Sequence, residues 1–252
     1  MSSVRVSPIG GLGEIEQGDD LVAAIVGAIR AANQPIESGD VLVVTQKIVS
    51  KSEGALVALE SIEPSAPAVE WGSAWKKDPR LIELVLREST RVVRMTRGVI
   101  ISETRHGLIC ANAGVDTSNV RPGWAARLPA DPDASARRLC SGFRGAFGVP
   151  VGVIVSDTFG RPWREGQINV AIGLAGLAPI TDYRGGLDTY GRALVSSAIA
   201  TADEIASAAE LVMKKVDGVP VAVVSGTGLG VAAVDAHGAR ALIRRAEEDM
   251  FR

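Results

Sequence analysis

Two short polar segments, each behind an apolar run, carry the side chains best suited to chemistry. Val151-Gly-Val-Ile-Val155 runs into Ser156-Asp-Thr-Phe-Gly-Arg161, so a buried strand ends by delivering the Asp157 carboxylate beside the Thr158 hydroxyl. Cys110-Ala-Asn-Ala-Gly-Val-Asp-Thr-Ser-Asn-Val120 follows another apolar run and gathers Asn112, Asp116, Thr117, Ser118 and Asn119. A few hard oxygen donors suit Mg²⁺ or Mn²⁺, with positions left for phosphate oxygens and water. Taken singly, each segment reads equally as a turn held by its own Asx side chains. Two carboxylate loops at two strand ends together favour one shared cation site, with Asn119 donating to a phosphate or base. A third segment, Gln46-Lys-Ile-Val-Ser-Lys51, follows the apolar run at 40–45. If a helix begins there, Lys47 and Lys51 share a face and both reach one polyphosphate; otherwise they are a solvated surface pair.

Other constellations are weaker or absent. Arg161, Arg164 and Glu165 follow the Asp157 turn, and Asp182, Arg184, Asp188 and Arg192 cluster around Gly185-Gly186. These groups either recognise an anionic substrate or form surface ion pairs. No window supplies the P-loop pattern, and the dinucleotide pattern fails because Glu16 and Val231 stand at its third glycine positions. His106 and His237 are the only histidines, without metal-ligand spacing or a hydrolase elbow. Cys110 reads as a small core residue, and two cysteines are too few for a disulfide framework.

The elements that must position these groups follow from periodicity and caps. Strands are expected at 4–6, 40–45, 92–93, 99–101, 108–110, 151–155 and 219–224. Helices are expected at 21–32 behind Asp19-Asp20, from Pro79 behind Asp78 to Ser89, and from Asp131-Pro132 to about Phe147. Two further helical patterns span 193–215, the longest, and 236–252. Residues 61–67 read as a surface connection, and 168–178 is too glycine-rich to assign. Strand pairs mix with helices without strict alternation, which points to an α+β fold with mixed β-sheets.

Composition sets the outer limits. The 252 residues are 46% hydrophobic and 22% charged, enough for one large domain or two closely packed lobes with a sizeable core. A chain of this size folded alone exposes about 10,600 Å². A net charge of −2 gives no electrostatic footprint for nucleic acid. No apolar run approaches the ~20 residues of a membrane span, and no signal-peptide region precedes the first strand, so a cytoplasmic protein is expected.

Taken together, Asn112-Ala-Gly-Val-Asp-Thr-Ser-Asn119, Ser156-Asp-Thr-Phe-Gly-Arg161, Asp188-Thr-Tyr-Gly-Arg192 and Ala202-Asp-Glu-Ile-Ala206 resemble the coenzyme F420-0:L-glutamate ligase (gamma-glutamyl ligase) family. The opening 8–20 and the stretch 39–54 fit the same pattern, so the resemblance covers essentially the whole chain. It implies GTP-dependent formation of an amide between coenzyme F420-0 and L-glutamate, with further gamma-linked glutamates in reach, by way of an acyl phosphate. It also implies a single two-lobed domain over 1–252 without a nitroreductase-like C-terminal domain, a homodimer, Mg²⁺ or Mn²⁺, and K⁺ as a monovalent activator. Carried over by position, Asp116, Asp157 and Thr158 would hold the metal. Leu12, Gly13, Glu14, Ile15, Gln46, Lys47, Lys51 and Asn119 would contact the guanine nucleotide, with Asp116, Asp157 and Lys51 as the catalytic set. The loop 213–219 would close the nucleotide site, and Glu165 and Asp182 are the candidate bases for the glutamate amine. A metal-dependent kinase or phosphohydrolase using the same carboxylates is the alternative.

Overall fold

The structure, a computed structural model, describes residues 3–249. In chain order its strands are β1 Arg5–Ile9, β2 Val41–Thr45, β3 Leu56–Ala58, β4 Ser89–Thr96, β5 Val99–Thr104 and β6 Ile109–Ala111. There follow β7 Trp124–Ala126, β8 Gly152–Arg161, β9 Arg164–Ala175, β10 Thr181–Asp182, β11 Ala198–Ile199 and β12 Val221–Ser225. The α-helices are α1 Leu21–Ala31, α2 Gln46–Ser52, α3 Ala66–Trp75, α4 Pro79–Glu88, α5 Pro132–Phe147 and α6 Thr201–Met213.

The main sheet has the order β1-β12-β2-β8-β9, and only β2 and β8 run parallel. The fold is therefore α+β with mixed sheets, as the alternation pattern predicted. Both faces of the sheet are covered, which is why its central strands are apolar at every position rather than at every second one. Leu42, Val44, Val153, Val155, Val221 and Val223 face α1 and α5, where Ile25, Ile29, Leu139 and Phe143 meet them. Val41, Val43, Ile154, Ala222 and Val224 face α6. Ala202, Ile205, Ala206, Ala209 and Met213 recur along α6 at helical spacing, and the small alanines let it lie close against the sheet.

A separate apolar cluster of Leu59, Ile62, Ala68, Ile82, Val85, Ile100, Val115 and Ala125 gathers α3, α4, the β4-β5-β6 sheet and the β3-β7 pair. Of the four aspartates read as helix caps, Asp20, Asp78 and Asp131 act as such, while Asp19 accepts from the Glu16 amide in the preceding loop. Asp20 accepts from the Ala23 amide, Asp78 from Arg80 and Asp131 from Ala134.

Four expectations are corrected. The strand holding Asp157 does not end at Val155 but continues to Arg161 and turns into the unassigned region, which is β9. Residues 61–67 already enter α3, with Pro67 in its first turn. The helical pattern at 193–215 yields a helix only from Thr201, so α5 is longer. Backbone bonds from Leu194 N to Gly186 O and from Tyr183 N to Ser197 O hold the preceding residues extended instead. The expected helix at 236–252 is two 3₁₀ turns, Ala239–Leu242 and Ala246–Glu248, with 250–252 outside the described residues. There the Asp133 carboxylate takes the Ala239 amide, and Ala239 is the only fully buried apolar side chain in the two turns.

Asp133 also accepts from the Leu174 amide at 2.9 Å, so the first turn of α5 sits directly on β9. That approach requires glycine at 173, because a Cβ there would fall inside the Pro132 carbonyl. Gly173→Ala should therefore lower unfolding stability by about 1–3 kcal/mol in urea titration. Gly145→Ala, on α5 but facing open space, should raise it by roughly 0.5–1 kcal/mol. Equal effects at the two positions would contradict the packing described.

Candidate functional site

β2 passes into α2 without a loop: Thr45 is extended and Gln46 begins the helix. Lys47 and Lys51 thus lie one turn apart just past the C-terminal end of β2, the middle strand of the sheet, as the helical reading of that segment required. Lys51 is 7% exposed and pairs with Glu14. Glu14 belongs to the loop between β1 and α1, whose Gly18 amide donates to the Ser52 carbonyl at 2.9 Å and whose Ile15 is buried. Gln46 is buried beside them, with its Oε1 2.8 Å from the Ser50 hydroxyl.

Asp116 comes from the other apolar cluster. Val115 anchors it, and a two-way backbone bridge with Ala126 fixes its position. Lys47 Nζ donates to Asp116 Oδ2 at 2.6 Å, the Ser118 hydroxyl to the same oxygen at 2.5 Å, and the Ser118 amide to Oδ1 at 2.9 Å. Burial alone would raise the Asp116 carboxyl, but these bonds outweigh it and hold it below its ordinary range.

Asp157 and Thr158 lie on β8 just past Ser156, the last residue paired with β2, and next to a register shift after Val155. The carboxylate therefore emerges where the parallel neighbour gives out, although its own strand runs on. Burial pushes the Asp157 carboxyl up to about 6; the Thr158 amide, Lys47 and Lys215 oppose this, and the Asp116 charge adds to it. Thr158 Oγ1 donates to Asn169 Oδ1 at 2.8 Å and accepts from Lys215 Nζ at 2.7 Å. Asn169 Nδ2 in turn donates to Glu210 Oε2 at 2.9 Å.

All of these groups surround one cleft of about 960 Å³. Leu12, Gly13, Glu14, Ile15, Gln46, Lys47, Lys51, Asp116, Asn119, Asp157 and Thr158 all line it, so the structure brings together the residues that the resemblance assigns to metal and nucleotide and the set Asp116, Asp157 and Lys51, but not the two candidate bases. The loop 213–219 closes one side, where the Asn119 amide nitrogen lies 3.4 Å from the Lys215 carbonyl. Arg161, Arg164, Glu165, Asp182, Arg184, Asp188 and Arg192 do not line the cleft. Arg161 binds the Glu165 carbonyl at the β8–β9 hairpin tip, and Asp188 holds the amides of its own turn. Asp182 is exposed and is drawn down to about 2 by Arg184. Glu165 and Asp182 are thus misplaced as bases for an amine reacting in the cleft.

Neither histidine lines the cleft, and His106 Nε2 sits 3.0 Å from the Pro129 carbonyl. Sequence reasoning passed over Asn169, Glu210 and Lys215. The first lay in the stretch left unassigned, but its placement opposite Thr158 follows once that stretch is read as a strand. Glu210 lies on α6 three residues before its end, and Lys215 just beyond it.

The residues present fit a divalent cation. Two carboxylates and a hydroxyl converge, and one carboxylate is desolvated and repelled by the other, so added positive charge would stabilise both. Among the described residues no group of three or more His, Cys, Asp or Glu is assembled for a metal, so this donor set would rely on ligand oxygens and water to complete its shell. No helix among the described residues is long and apolar enough to cross a membrane.

The thiols are excluded from this chemistry. Burial, followed by the Asp157 charge, pushes Cys110 up to about 12, and burial also raises Cys140. Both should resist iodoacetamide in the folded protein at pH 8 and react on unfolding, as counted by mass spectrometry. Rapid labelling of either in the native state would contradict this placement.

The chain matches the family model described as F420-0:Gamma-glutamyl ligase over residues 11–226. It is 44% identical to the coenzyme F420:L-glutamate ligase of Methanothermobacter thermautotrophicus, over 96% of each chain. The same identity, 44%, holds to that of Methanopyrus kandleri over 100% of this chain and 99% of the relative. The corresponding protein of Methanocaldococcus jannaschii is 40% identical over 88% of each.

Proposed function

The chain belongs to the F420-0:gamma-glutamyl ligase family, and from that premise we propose that it joins L-glutamate to coenzyme F420-0 by an amide bond at the expense of GTP. The observation that carries this reading is the meeting of Asp116 and Asp157 with Lys47, Lys51 and Lys215 around one cleft. The reading is supported further by relatives of nearly the same length that are named for ligation of glutamate to coenzyme F420.

A carboxylate does not condense with an amine in neutral water without activation. On this reading the γ-phosphoryl group of GTP passes to a carboxylate oxygen of F420-0, leaving GDP and an acyl phosphate. The glutamate amine then attacks the carbonyl carbon, the C–O bond to phosphate breaks, and inorganic phosphate leaves. Phosphoryl transfer of this kind depends on positioning and charge neutralisation more than on covalent work by the protein. Asp116, Asp157 and Thr158 would hold Mg²⁺ or Mn²⁺, which when bound supplies neutralising charge to phosphate oxygens. Lys47 and Lys215 are placed to turn from Asp116 and Thr158 to those oxygens. Lys51, fixed by Glu14, keeps positive charge at the mouth of the β1–α1 loop, where Leu12 to Ile15 would contact the nucleotide. Holding amine and acyl phosphate side by side can contribute roughly 7–11 kcal/mol over a free encounter. K⁺ activation and the addition of further gamma-linked glutamates belong to the same reading.

A homodimer also belongs to it. The chain exposes 13,536 Å², well above the ~10,600 Å² of a compact monomer of its mass. Leu187, Tyr190 and Val195 are 68%, 87% and 83% exposed, side chains that a second copy would cover. Light scattering should return twice the chain mass; the mass of one chain would remove the dimer.

With GTP, Mn²⁺, glutamate and F420-0, the protein should release GDP over many turnovers only when both acceptors are present and yield a product heavier by one glutamyl unit. Asp116→Asn and Asp157→Asn should each lower turnover by about 100-fold or more while leaving the melting temperature nearly unchanged. Sustained GDP release without glutamate would favour a kinase or phosphohydrolase instead. Full activity in either variant would overturn the site.

A further inference from the structure

The Thr158 hydroxyl has one proton, and its neighbours decide where that proton points. Lys215 Nζ, 2.7 Å away, carries only donors, so Thr158 Oγ1 must accept from it. Asn169 stands directly opposite on β9, is 4% exposed, and lies 2.8 Å away through Oδ1. Its amide could in principle face either way, since Asn carries a donor and an acceptor at nearly identical positions. Glu210 removes that freedom. Its Oε2 lies 2.9 Å from Asn169 Nδ2 and accepts, so the NH₂ end faces Glu210 and the carbonyl end faces Thr158. The Asn169 main chain is held as well, because Ser207 Oγ on α6 donates to its carbonyl at 2.8 Å.

We infer that Asn169, with its amide orientation set by Glu210, is a positioning residue that draws the Thr158 proton toward β9 and leaves the hydroxyl lone pairs available to a cation. The inference rests on the proposed metal reading and extends it to two residues outside the donor set. Lys215 holds one of those lone pairs in the free protein, and its release to a phosphate oxygen would free Thr158 when nucleotide and metal enter together. A hydroxyl whose proton points into the cleft is a poor ligand, so the polarity of this short chain matters more than its mere presence.

The test is equilibrium dialysis of the purified protein against Mn²⁺ in the presence of GDP, with bound metal measured by atomic absorption. Asn169→Ala and Thr158→Val should each weaken Mn²⁺ binding roughly tenfold or more, the usual reach of residues that orient metal ligands. The double variant should be no weaker than Thr158→Val alone, since Asn169 acts only through that hydroxyl. Glu210→Gln keeps the shape but restores the freedom of the Asn169 amide, and should weaken Mn²⁺ binding in the same direction. If Asn169→Ala fails to fold, this isosteric variant alone decides the matter. Melting temperature serves as the control for a merely structural role, which would lower it without moving metal affinity. Unchanged Mn²⁺ affinity in Glu210→Gln, or additive losses in the double variant, would overturn the inference while wild type that loses Mn²⁺ through Asp157→Asn keeps the metal reading. A wild-type chain that binds no Mn²⁺ through Asp157 would overturn both.

Discussion

A carboxylate lowered into a half-closed cleft has lost much of its water and must be given positive charge. Asp157 is where that requirement falls in this protein, and the raised position of its carboxyl group, about 6, measures how incompletely the free chain meets it. Lys47 and Lys215 approach from two sides, but each is already engaged, one with Asp116 and the other with Thr158. Among the described residues Asp157 is thus left without an ion pair of its own where two acidic groups face the same space. A triphosphate alone would worsen the deficit, and a divalent cation accompanying it would relieve both.

The fold can be read as the means of holding that imbalance in place. Asp157 is carried by a strand buried on both faces, and Asp116 by a turn anchored in a separate apolar cluster. Neither position depends on the other, so their repulsion cannot be relaxed by a small shift of one loop. The direct passage from β2 to α2 brings Lys47 and Lys51 to the C-terminal end of the central strand without a flexible connection. On the far side, α6 lies close to the sheet through its alanines, which keeps Glu210 within reach of Asn169.

Much of this was legible in the sequence where local signals and tertiary demands agree. Continuous apolar runs mark β2, β8 and β12 because both sheet faces are covered, and Asp20, Asp78 and Asp131 mark helix starts because their side chains satisfy free amides. The cleft residues were legible as motifs. The reading failed where long-range pairing overrides periodicity. The strand at Asp157 runs past its apolar part because the hairpin with β9 supplies backbone partners that hydropathy does not register. Residues 193–200 have helical composition but are held extended by the neighbouring arm, and the basic and acidic tail offers too little apolar surface to sustain a helix. Charge clusters around Asp182 left two readings open for a related reason: ion pairs two residues apart form on any exposed turn, so their chemistry says little about position.

The central claim is that Asp116 and Asp157 serve one cation, and diffraction tests it most directly. Crystals grown with Mn²⁺ and GDP, with data collected at the manganese edge, should show an anomalous peak bonded to a carboxylate oxygen of each aspartate. Manganese bound elsewhere, with the two carboxylates left facing only Lys47 and Lys215, would contradict it.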